Sequence, residues 1–325
     1  MTTLLEVDDL TVDFDRDGER SAAVRGVSFA VEAGERVGIV GESGSGKSVT
    51  AQAVMRLLPQ TAGVGGQVRF DGHDVLTFDA KRLARWRGAD IAMVFQDPMS
   101  SLNPLLRIGT QLAEGLRHHR GLGKAAAREE SARLLRTVGI GDAERRLKEY
   151  PHAFSGGMRQ RVCIAIAAAC TPRLIVADEP TTALDVTVQA QVLDLLDELT
   201  DSHGTATILI SHDLGVVSSF CDRILIMYAG RVVESGPTDE IVARPTHPYT
   251  RALLDSIPRL RGDLPRRLPT IPGAPPFGGV PAGQCSFAGR CPRAQDLCRT
   301  VDPQLRPTGP GVSAACHFPL GDGDA

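Results

Sequence analysis

The stretch GERVGIVGESGSGKSVT, residues 34 to 50, decides the fold of this chain. Residues 36–40 are apolar enough for a buried strand, whereas GESGSGKS, residues 41–48, contains almost no bulky side chain. This loop follows a predicted strand and opens a helix predicted over 47–58, the context in which G-x-x-x-x-G-K-[ST] indicates a phosphate-binding P-loop. A phosphate chain must approach several backbone N–H groups at once, and larger side chains there would hold it away.

The P-loop pattern assigns roles to individual residues. Lys47 is expected to pair with the β- and γ-phosphates of a nucleotide, and the Ser48 hydroxyl to bind Mg²⁺. The helix N-terminus adds partial positive charge. The alternative is a simple glycine-rich turn, which the strand and helix context disfavours. The predicted nucleotide-binding residues of this loop are Gly41, Glu42, Ser43, Gly44, Ser45, Gly46, Lys47, Ser48 and Val49.

Composition excludes several classes of protein. The chain has 325 residues, 42% of them hydrophobic, and a formal net charge of −3, so the whole molecule is not a polyanion binder. The longest apolar run, 162–170, is far shorter than the roughly 18–20 residues that span a bilayer. The N-terminus lacks the basic head of a signal peptide. We therefore expect a soluble cytosolic protein that reaches a membrane through a partner.

Strand candidates alternate with helical segments along most of the chain. Residues 10–14 and 27–31 alternate between apolar and polar, which is typical of half-buried antiparallel strands. Later candidates are the continuous apolar runs ADIAMVF, RLIVAD, TATILI and DRILIMYAG. A long helical stretch is predicted over about 108–150. The pattern predicts an α/β fold whose mainly parallel sheet is covered on both faces.

Two acids end the apolar strand of RLIVADEP. Asp178 is placed to position hydrated Mg²⁺, and Glu179 to orient and polarise an attacking water. The alternative is that both acids cap the next helix, an interpretation that the upstream P-loop disfavours.

A second anion site is predicted where FSGGMRQRV, residues 154–162, opens the most apolar helix of the chain. A serine and two glycines at a helix start can bind an anion, although an ordinary serine N-cap is the simpler alternative. One nucleotide already has a P-loop for its phosphates. The second cradle is therefore predicted to serve a nucleotide on another subunit.

Four motifs together resemble one known family. GESGSGKS, FSGGMRQR, LIVADEPTTALD and ILISHD, in this order and spacing, resemble the ATP-binding subunits of ABC transporters over about residues 4–254. The resemblance implies a RecA-like parallel core sheet, an N-terminal antiparallel β subdomain and a helical subdomain at about 97–169. It also implies a head-to-tail dimer in which two ATP molecules lie between the P-loop of one subunit and the SGG signature of the other.

The same resemblance assigns further residues. Ser155, Gly156 and Gly157 would contact a γ-phosphate in trans, and Asp185 would cross the dimer interface. Gln96, Ser48 and Asp178 would be the ligands of Mg²⁺. Gln96 would also respond to the membrane partner, and His212 would hold the γ-phosphate. Phe14 is the candidate for stacking on adenine, with a strand-face core residue as the alternative. The expected catalytic residues are Lys47, Gln96, Glu179 and His212. The family signature more often has Leu and Gln where this chain has Phe154 and Met158.

Further stretches narrow the resemblance. QDPMSSLNPLLRIGTQL and PTHPYTRALL resemble the oligopeptide and dipeptide importer branch, whose relatives include nickel importers. The implied function is ATP hydrolysis that powers peptide import, with import of nickel or another small solute as the alternative. A soluble ABC ATPase acting on DNA or ribosomes is a third possibility, which a single motif set without a coiled coil disfavours.

The branch also implies partners and a location. The expected partners are a second ATPase subunit, either a paralogue or an identical copy, two transmembrane permease subunits and, indirectly, an extracytoplasmic substrate-binding protein. Nucleic acid is not expected. The chain would lie peripherally on the cytoplasmic face of the membrane.

Four cysteines crowd into the C-terminal region, which resembles the same branch. Cys285, Cys291, Cys298 and Cys316 have the spacing C-x5-C-x6-C-x17-C, and branch members bind a [4Fe–4S] cluster on four such cysteines. Four thiolates suit a cubane cluster or a structural zinc, and four unligated cysteines are the remaining alternative. The expected domains are an ABC ATPase over 1–255 and, over 256–325, a Pro-rich linker followed by a Cys-rich metal-binding module.

Overall fold

The computed structural model describes residues 2–16, 19–182, 185–257, 270–276 and 283–321. The strands are β1 (Thr3–Arg16), β2 (Glu19–Glu32), β3 (Arg36–Val40), β4 (Ala62–Phe70), β5 (His73–Asp74), β6 (Ile91–Val94), β7 (Leu174–Asp178), β8 (Ala206–Ser211), β9 (Arg223–Tyr228), β10 (Arg231–Pro237), β11 (Arg306–Gly309) and β12 (Val312–Ala314).

The helices alternate with these strands over much of the chain. They are α1 (Lys47–Val54), α2 (Ala80–Ala89), α3 (Pro98–Ser101), α4 (Ile108–His119), α5 (Lys124–Thr137), α6 (Ala143–Arg146), α7 (Gly156–Ala168), α8 (Val186–His203), α9 (Leu214–Phe220), α10 (Thr238–Ala243), α11 (Pro248–Asp255) and α12 (Asp296–Thr300). None of the helices in the described ranges combines the length and apolar character that a membrane crossing needs.

The chain forms two compact units. The first comprises Met1–Leu4, Val31–Glu35 and Val75–Ile210, and the second comprises Leu5–Ala30, Arg36–Asp74 and Ser211–Ala325. The domain limit predicted at residue 255 stays a prediction. Most of the predicted Pro-rich linker, residues 258–269, lies outside the described residues.

In the first unit, strands β6, β7 and β8 are parallel neighbours, with β7 in the middle. Every residue of β7 is buried, because a central parallel strand is covered on both faces. Three helices, α4, α5 and α6, occupy the region predicted as one long helical stretch over 108–150, so that prediction was wrong in its continuity. Gly121 and Gly139 have φ of +65° and +72°, a left-handed conformation that glycine adopts readily and that ends a helix.

The second unit contains the antiparallel sheet that the N-terminal alternation predicted. Its strand order is β2-β1-β4-β5, and both β1–β4 and β4–β5 are antiparallel. Leu5 and Val7 of β1 are buried, whereas Glu6 and Asp8 are exposed, and beyond a shift of register between Asp8 and Thr11 the alternation continues with buried Leu10 and Val12. The period of two in the sequence therefore corresponds to a sheet with one buried face.

The remaining strands of the second unit centre on β9. It pairs in parallel with β3, the strand that leads into the P-loop, and antiparallel with β10. The C-terminal region then adds two strands that the sequence analysis did not predict, since β12 pairs with β10 and β11 pairs with β12. The Cys-rich region is thus hydrogen-bonded to the strands that support the P-loop.

Candidate active site

The predicted P-loop lies in the second unit between β3 and α1. Gly41 and Gly46 have no room for a side chain, because a Cβ would lie 2.2 Å from the Met227 carbonyl oxygen and 2.6 Å from that of Ala23, respectively. Gly46 also has a φ of +99°. These glycines are therefore required by close backbone packing within the protein, in addition to the phosphate approach argued from the sequence. Helix α1 ends at Val54, four residues earlier than predicted.

Lys47 is buried inside this loop. Its ammonium donates hydrogen bonds to the carbonyl oxygens of Gly41, at 2.7 Å, and of Glu42, at 3.0 Å. The hydroxyl of Ser45 is buried and has no hydrogen-bond partner within the described part of the chain. The first turn of α1 contains no acidic residue. A cation, an orphan hydroxyl and a helix N-terminus together form a site suited to phosphate.

The second unit also holds His212 and Phe14. His212 is exposed in the turn after β8, where Asp213 caps α9 by accepting a hydrogen bond from the Gly215 N–H at 2.8 Å. Phe14 is half-buried in β1, opposite Ala62 of β4. Neither position tests the predicted role, so the histidine switch and the adenine contact stay predictions.

The two predicted acids lie in the first unit at the end of β7. Asp178 is the last residue of the strand and is buried, with 4% of its surface exposed. Glu179 follows with a φ of +46°, an uncommon conformation for a residue other than glycine. Neither acid is the N-cap of the next helix, because Asp185 caps α8 by accepting a hydrogen bond from the Val188 N–H. The helix-capping alternative is therefore wrong.

The structure brings Gln96 and Glu179 together. The Gln96 amide donates a hydrogen bond to Glu179 Oε2 at 3.0 Å, and the Thr182 hydroxyl donates to the same oxygen at 2.8 Å. Glu179 N–H in turn donates to the Ile210 carbonyl at 2.9 Å. A carboxylate that is held by its backbone and by two side-chain donors is well placed to orient a water. Thr182 was missed, although it stands in the quoted motif LIVADEPTTALD.

The predicted signature begins helix α7. Ser155 is its N-cap, and the hydroxyl accepts a hydrogen bond from the Met158 N–H at 3.3 Å. A Cβ on Gly157 would lie 2.8 Å from Val188 Cγ1 in α8, whereas a Cβ on Gly156 would meet open space. Packing against Val188 therefore favours glycine at 157. At 155 the structure is compatible with both the N-cap and the anion-site interpretations. In TALD, Ala183 and Leu184 lie outside the described residues, while Asp185 caps α8.

The four C-terminal cysteines face one small cavity. Cys285, Cys291, Cys298 and Cys316 line it together with Phe287 and other residues. Burial raises the pKa of the Cys285 and Cys291 thiols, and it raises that of Cys316 to about 11. Within the described residues, no group of three or more His, Cys, Asp and Glu side chains has an arrangement that could hold a metal ion. The four predicted cysteines thus converge on one cavity.

Comparisons with known proteins identify the family. A family model described as "ABC transporter" matches residues 24–182, and one described as "Oligopeptide/dipeptide transporter, C-terminal region" matches residues 233–298. A probable peptide ABC transporter ATP-binding protein of Sinorhizobium fredii is 52% identical over 315 residues, which cover 96% of this chain and 94% of that protein. The chain belongs to the ATP-binding subunits of ABC transporters. The oligopeptide transport ATP-binding protein OppD of Salmonella typhimurium is 50% identical, over 98% of this chain and 94% of its own length.

A solved ABC cassette has the same fold. The dimeric structure of a post-hydrolysis state of the ATP-binding cassette MJ0796, bound to ADP and Pi, superposes with a TM-score of 0.66 at 29% identity. It covers 72% of this chain and 99% of that cassette. The present chain is therefore an ABC-type ATPase, as the four motifs predicted, and its α/β fold class is confirmed.

One contact of this ABC ATPase could not be predicted from the sequence. Arg290, in the Cys-rich region, pairs with Glu42 of the P-loop across 248 positions of the chain. Neither residue stands in a pattern that indicates the other.

Proposed function

We propose that this ABC ATPase powers the import of di- or oligopeptides through a membrane permease. The observation that carries the proposal is the match of residues 233–298 to the oligopeptide/dipeptide transporter C-terminal region. Relatives of about 50% identity over nearly the full chain are named for peptide or oligopeptide transport. The peptide itself would be chosen by proteins outside this chain.

In the proposed reaction, the oxygen of a water molecule attacks the γ-phosphorus, and the bond between that phosphorus and the β–γ bridging oxygen breaks on the opposite side. The products are ADP and phosphate. Glu179 orients the water and accepts its proton, and Lys47 and the N-terminus of α1 stabilise charge on the phosphates. His212 is proposed to hold the γ-phosphate. When bound, Mg²⁺ would neutralise phosphate charge, and Ser48, Gln96 and Asp178 offer the oxygen ligands that it prefers. No covalent protein intermediate is required.

We further propose that the working unit contains two ATPase chains. Ser155, Gly156 and Gly157 of one chain would contact ATP held by the P-loop of the other, and Asp185 would lie at their interface. ATP binding would close the dimer, and release of the products would reopen it. Gln96 and the helices from α3 to α7 would transmit this movement to the permease.

The proposed assembly places the chain on the cytoplasmic face of the membrane. Its partners would be a second ATPase subunit, two permease subunits and, through them, an extracytoplasmic substrate-binding protein. Family membership supports the permease and the dimer in general terms, and the choice of a paralogue as the second subunit is our proposal.

We propose that Cys285, Cys291, Cys298 and Cys316 bind a [4Fe–4S] cluster that staples the C-terminal region. The observation that supports the proposal is that all four cysteines line one cavity, and four thiolates suit a cubane cluster or a structural zinc. The cluster would cross-link a segment with few core residues.

Anaerobic purification tests the cluster. The expected result is a brown protein with about four irons and four sulfides per chain, and C291S should lose them. The matched control is C170S, because Cys170 is a half-buried cysteine outside the cavity. A colourless protein with one zinc per chain would contradict the cluster.

Reconstitution tests the transport function. The chain, assembled with a peptide permease and its substrate-binding protein, should support ATP-dependent uptake of labelled peptides into vesicles. K47A should abolish uptake while the assembly remains intact. Uptake of nickel but not of peptides would favour the small-solute alternative, and co-purification with ribosomes or DNA instead of a permease would favour the soluble one.

A further inference from the structure

The Cys-rich region reaches the P-loop through one arginine. Arg290 donates two hydrogen bonds to the Glu42 carboxylate, from Nη1 to Oε2 at 2.6 Å and from Nη2 to Oε1 at 3.1 Å. The Arg290 side chain is 7% exposed and that of Glu42 is 26% exposed. A bidentate pair that is largely shielded from water is stronger and more directional than a surface ion pair.

Arg290 is held rigidly in this position. Its Nε donates to the Pro272 carbonyl at 2.7 Å, and Nη1 lies 3.4 Å from the Tyr228 hydroxyl. Its own N–H donates to the Phe287 carbonyl at 2.9 Å, and the next residue is Cys291, which lines the cysteine cavity. The hydrogen bonds to Glu42 raise the pKa of Arg290 still further, so the guanidinium is charged.

Glu42 is fixed on three sides, and one of them is the P-loop lysine. Its carboxylate meets Arg290, its N–H donates to the Tyr249 hydroxyl at 3.0 Å, and its carbonyl accepts from Lys47 Nζ at 3.0 Å. Tyr249 and Phe287 are fully buried and pack against each other. A side chain of the Cys-rich region therefore anchors the residue whose carbonyl orients Lys47.

The contact between Arg290 and Glu42 affects nucleotide binding because Glu42 is charged. Glu42 places a carboxylate within the loop that must hold the phosphates of ATP, and like charges at short range repel where water is partly excluded. A guanidinium bound to both carboxylate oxygens cancels that charge and also holds the side chain in one conformation.

We propose that Arg290 is a positioning residue for ATP, which acts by neutralising Glu42 and fixing the part of the P-loop that orients Lys47. The Cys-rich region is on this view a component of the nucleotide site and not an appendage. The proposal rests on the ATPase activity of the family and is independent of the peptide substrate and of the cluster.

A double-mutant cycle tests the proposal, with ATP affinity measured by fluorescent-nucleotide titration on the full chain. R290Q should weaken ATP binding about tenfold, because it leaves the Glu42 charge uncompensated. E42Q removes the charge that Arg290 neutralises, so R290Q/E42Q should bind ATP more tightly than R290Q and about as tightly as E42Q alone. The loss in R290Q should also shrink at high salt, since salt screens the charge.

Controls separate positioning from simple support of the fold. R299Q removes an exposed arginine of the same region and should leave ATP affinity unchanged. R290K keeps the charge but not the two-point geometry, so it should show a smaller loss than R290Q and remain testable if R290Q folds poorly. An ATP affinity in R290Q/E42Q as weak as in R290Q alone, or a full affinity in R290Q, would overturn the proposal.

Discussion

Glu179 shows how much chemistry one backbone conformation can set. Its positive φ turns the side chain at the end of a buried strand, and Gln96 and Thr182 both donate to Oε2. Strained residues persist where the surrounding structure over-determines them, and they concentrate at functional sites. The sequence predicted the acid from its place after an apolar strand. The positive φ could not be predicted, because Glu179 is held by tertiary contacts such as the hydrogen bond from its N–H to Ile210 of a neighbouring strand.

Substitution of Glu179 by glutamine should separate binding from hydrolysis. E179Q keeps the size of the side chain but removes the negative charge that polarises water, so hydrolysis should fall about a hundredfold or more while ATP binding persists. Phosphate release by the assembled transporter measures the first effect, and nucleotide retention measures the second. Hydrolysis at the wild-type rate would show that another residue is the base.

In the P-loop, Gly46 should tolerate no side chain. G46A combines a φ of +99° with a Cβ placed 2.6 Å from the Ala23 carbonyl, so we expect a loss of about 1–3 kcal/mol in the free energy of unfolding and much weaker ATP binding. Gly115 is the matched control, since it lies within α4 and has no heavy atom within 4 Å of its Cβ position. G115A should stabilise the protein by about 0.5–1 kcal/mol. Equal stability of the two variants, measured by urea unfolding, would refute the packing argument.

At the scale of elements, helices α4 and α5 are joined by an ion cluster. Glu130 of α5 accepts hydrogen bonds at 2.8 Å from Arg133 on its own helix and from Arg120 at the end of α4. The two hydrogen bonds from Arg133 mainly, and the one from Arg120, lower the pKa of Glu130 to about 2. Glycine ends the helical pattern between α4 and α5. The two helices are therefore joined by side-chain ion pairs, where the sequence predicted one continuous helix.

The lowered pKa of Glu130 predicts a dependence of stability on pH. A carboxylate whose folded pKa lies below its unfolded value stabilises the protein above about pH 4.5, and that contribution is lost as the pH falls from about 4.5 towards about 2. Because both arginines are partly exposed, water screens the pair, and E130Q should cost about 1 kcal/mol at neutral pH. Urea unfolding at about pH 7 and about pH 3.5 should show the cost shrinking in acid. The control is E129Q, at the exposed neighbouring position. A cost that is the same at both pH values would contradict the ion-cluster explanation.

Element by element, the strands were more predictable than the contacts between distant segments. Apolar runs identified β3, β7, β8 and β9, since buried parallel strands carry few polar residues. The hairpin of β11 and β12 was missed, because Pro307 and Gly309 give β11 the composition of a loop, and because β10, the strand that pairs with β12, lies about eighty positions earlier. The pairing of Arg290 with Glu42 was unpredictable for the same reason: the two residues meet only through tertiary structure.

At the scale of the whole molecule, the head-to-tail dimer is the proposal that decides the role of Ser155. Ser155 offers a test that distinguishes an N-cap from a contact with ATP on a second chain. S155D should preserve the cap of α7, because aspartate caps helices as well as serine does. It should nevertheless abolish hydrolysis by the assembly, since a carboxylate would repel the γ-phosphate held by the partner.

The affinity of S155D for ATP at its own P-loop should be unchanged, which fluorescent-nucleotide titration measures. Its unfolding midpoint should match the wild type, and S155A, which removes the cap, should be less stable by about 1 kcal/mol. Full hydrolysis by the S155D assembly would reduce Ser155 to a structural cap.

The pairing of β12 with β10 bears on how the C-terminal region can be studied. A strand edge with unpaired N–H and C=O groups invites other chains to add to it, and natural proteins protect such edges. Truncation before residue 306 would bare the edge of β10 at Glu234 and Ser235, where Ala314 and Ser313 now pair. In the full chain the outermost strand β11 carries Pro307, which has no N–H to offer. A shortened protein that forms aggregates would therefore report an uncovered sheet, and substitution of single cysteines is the cleaner way to learn what the cavity does.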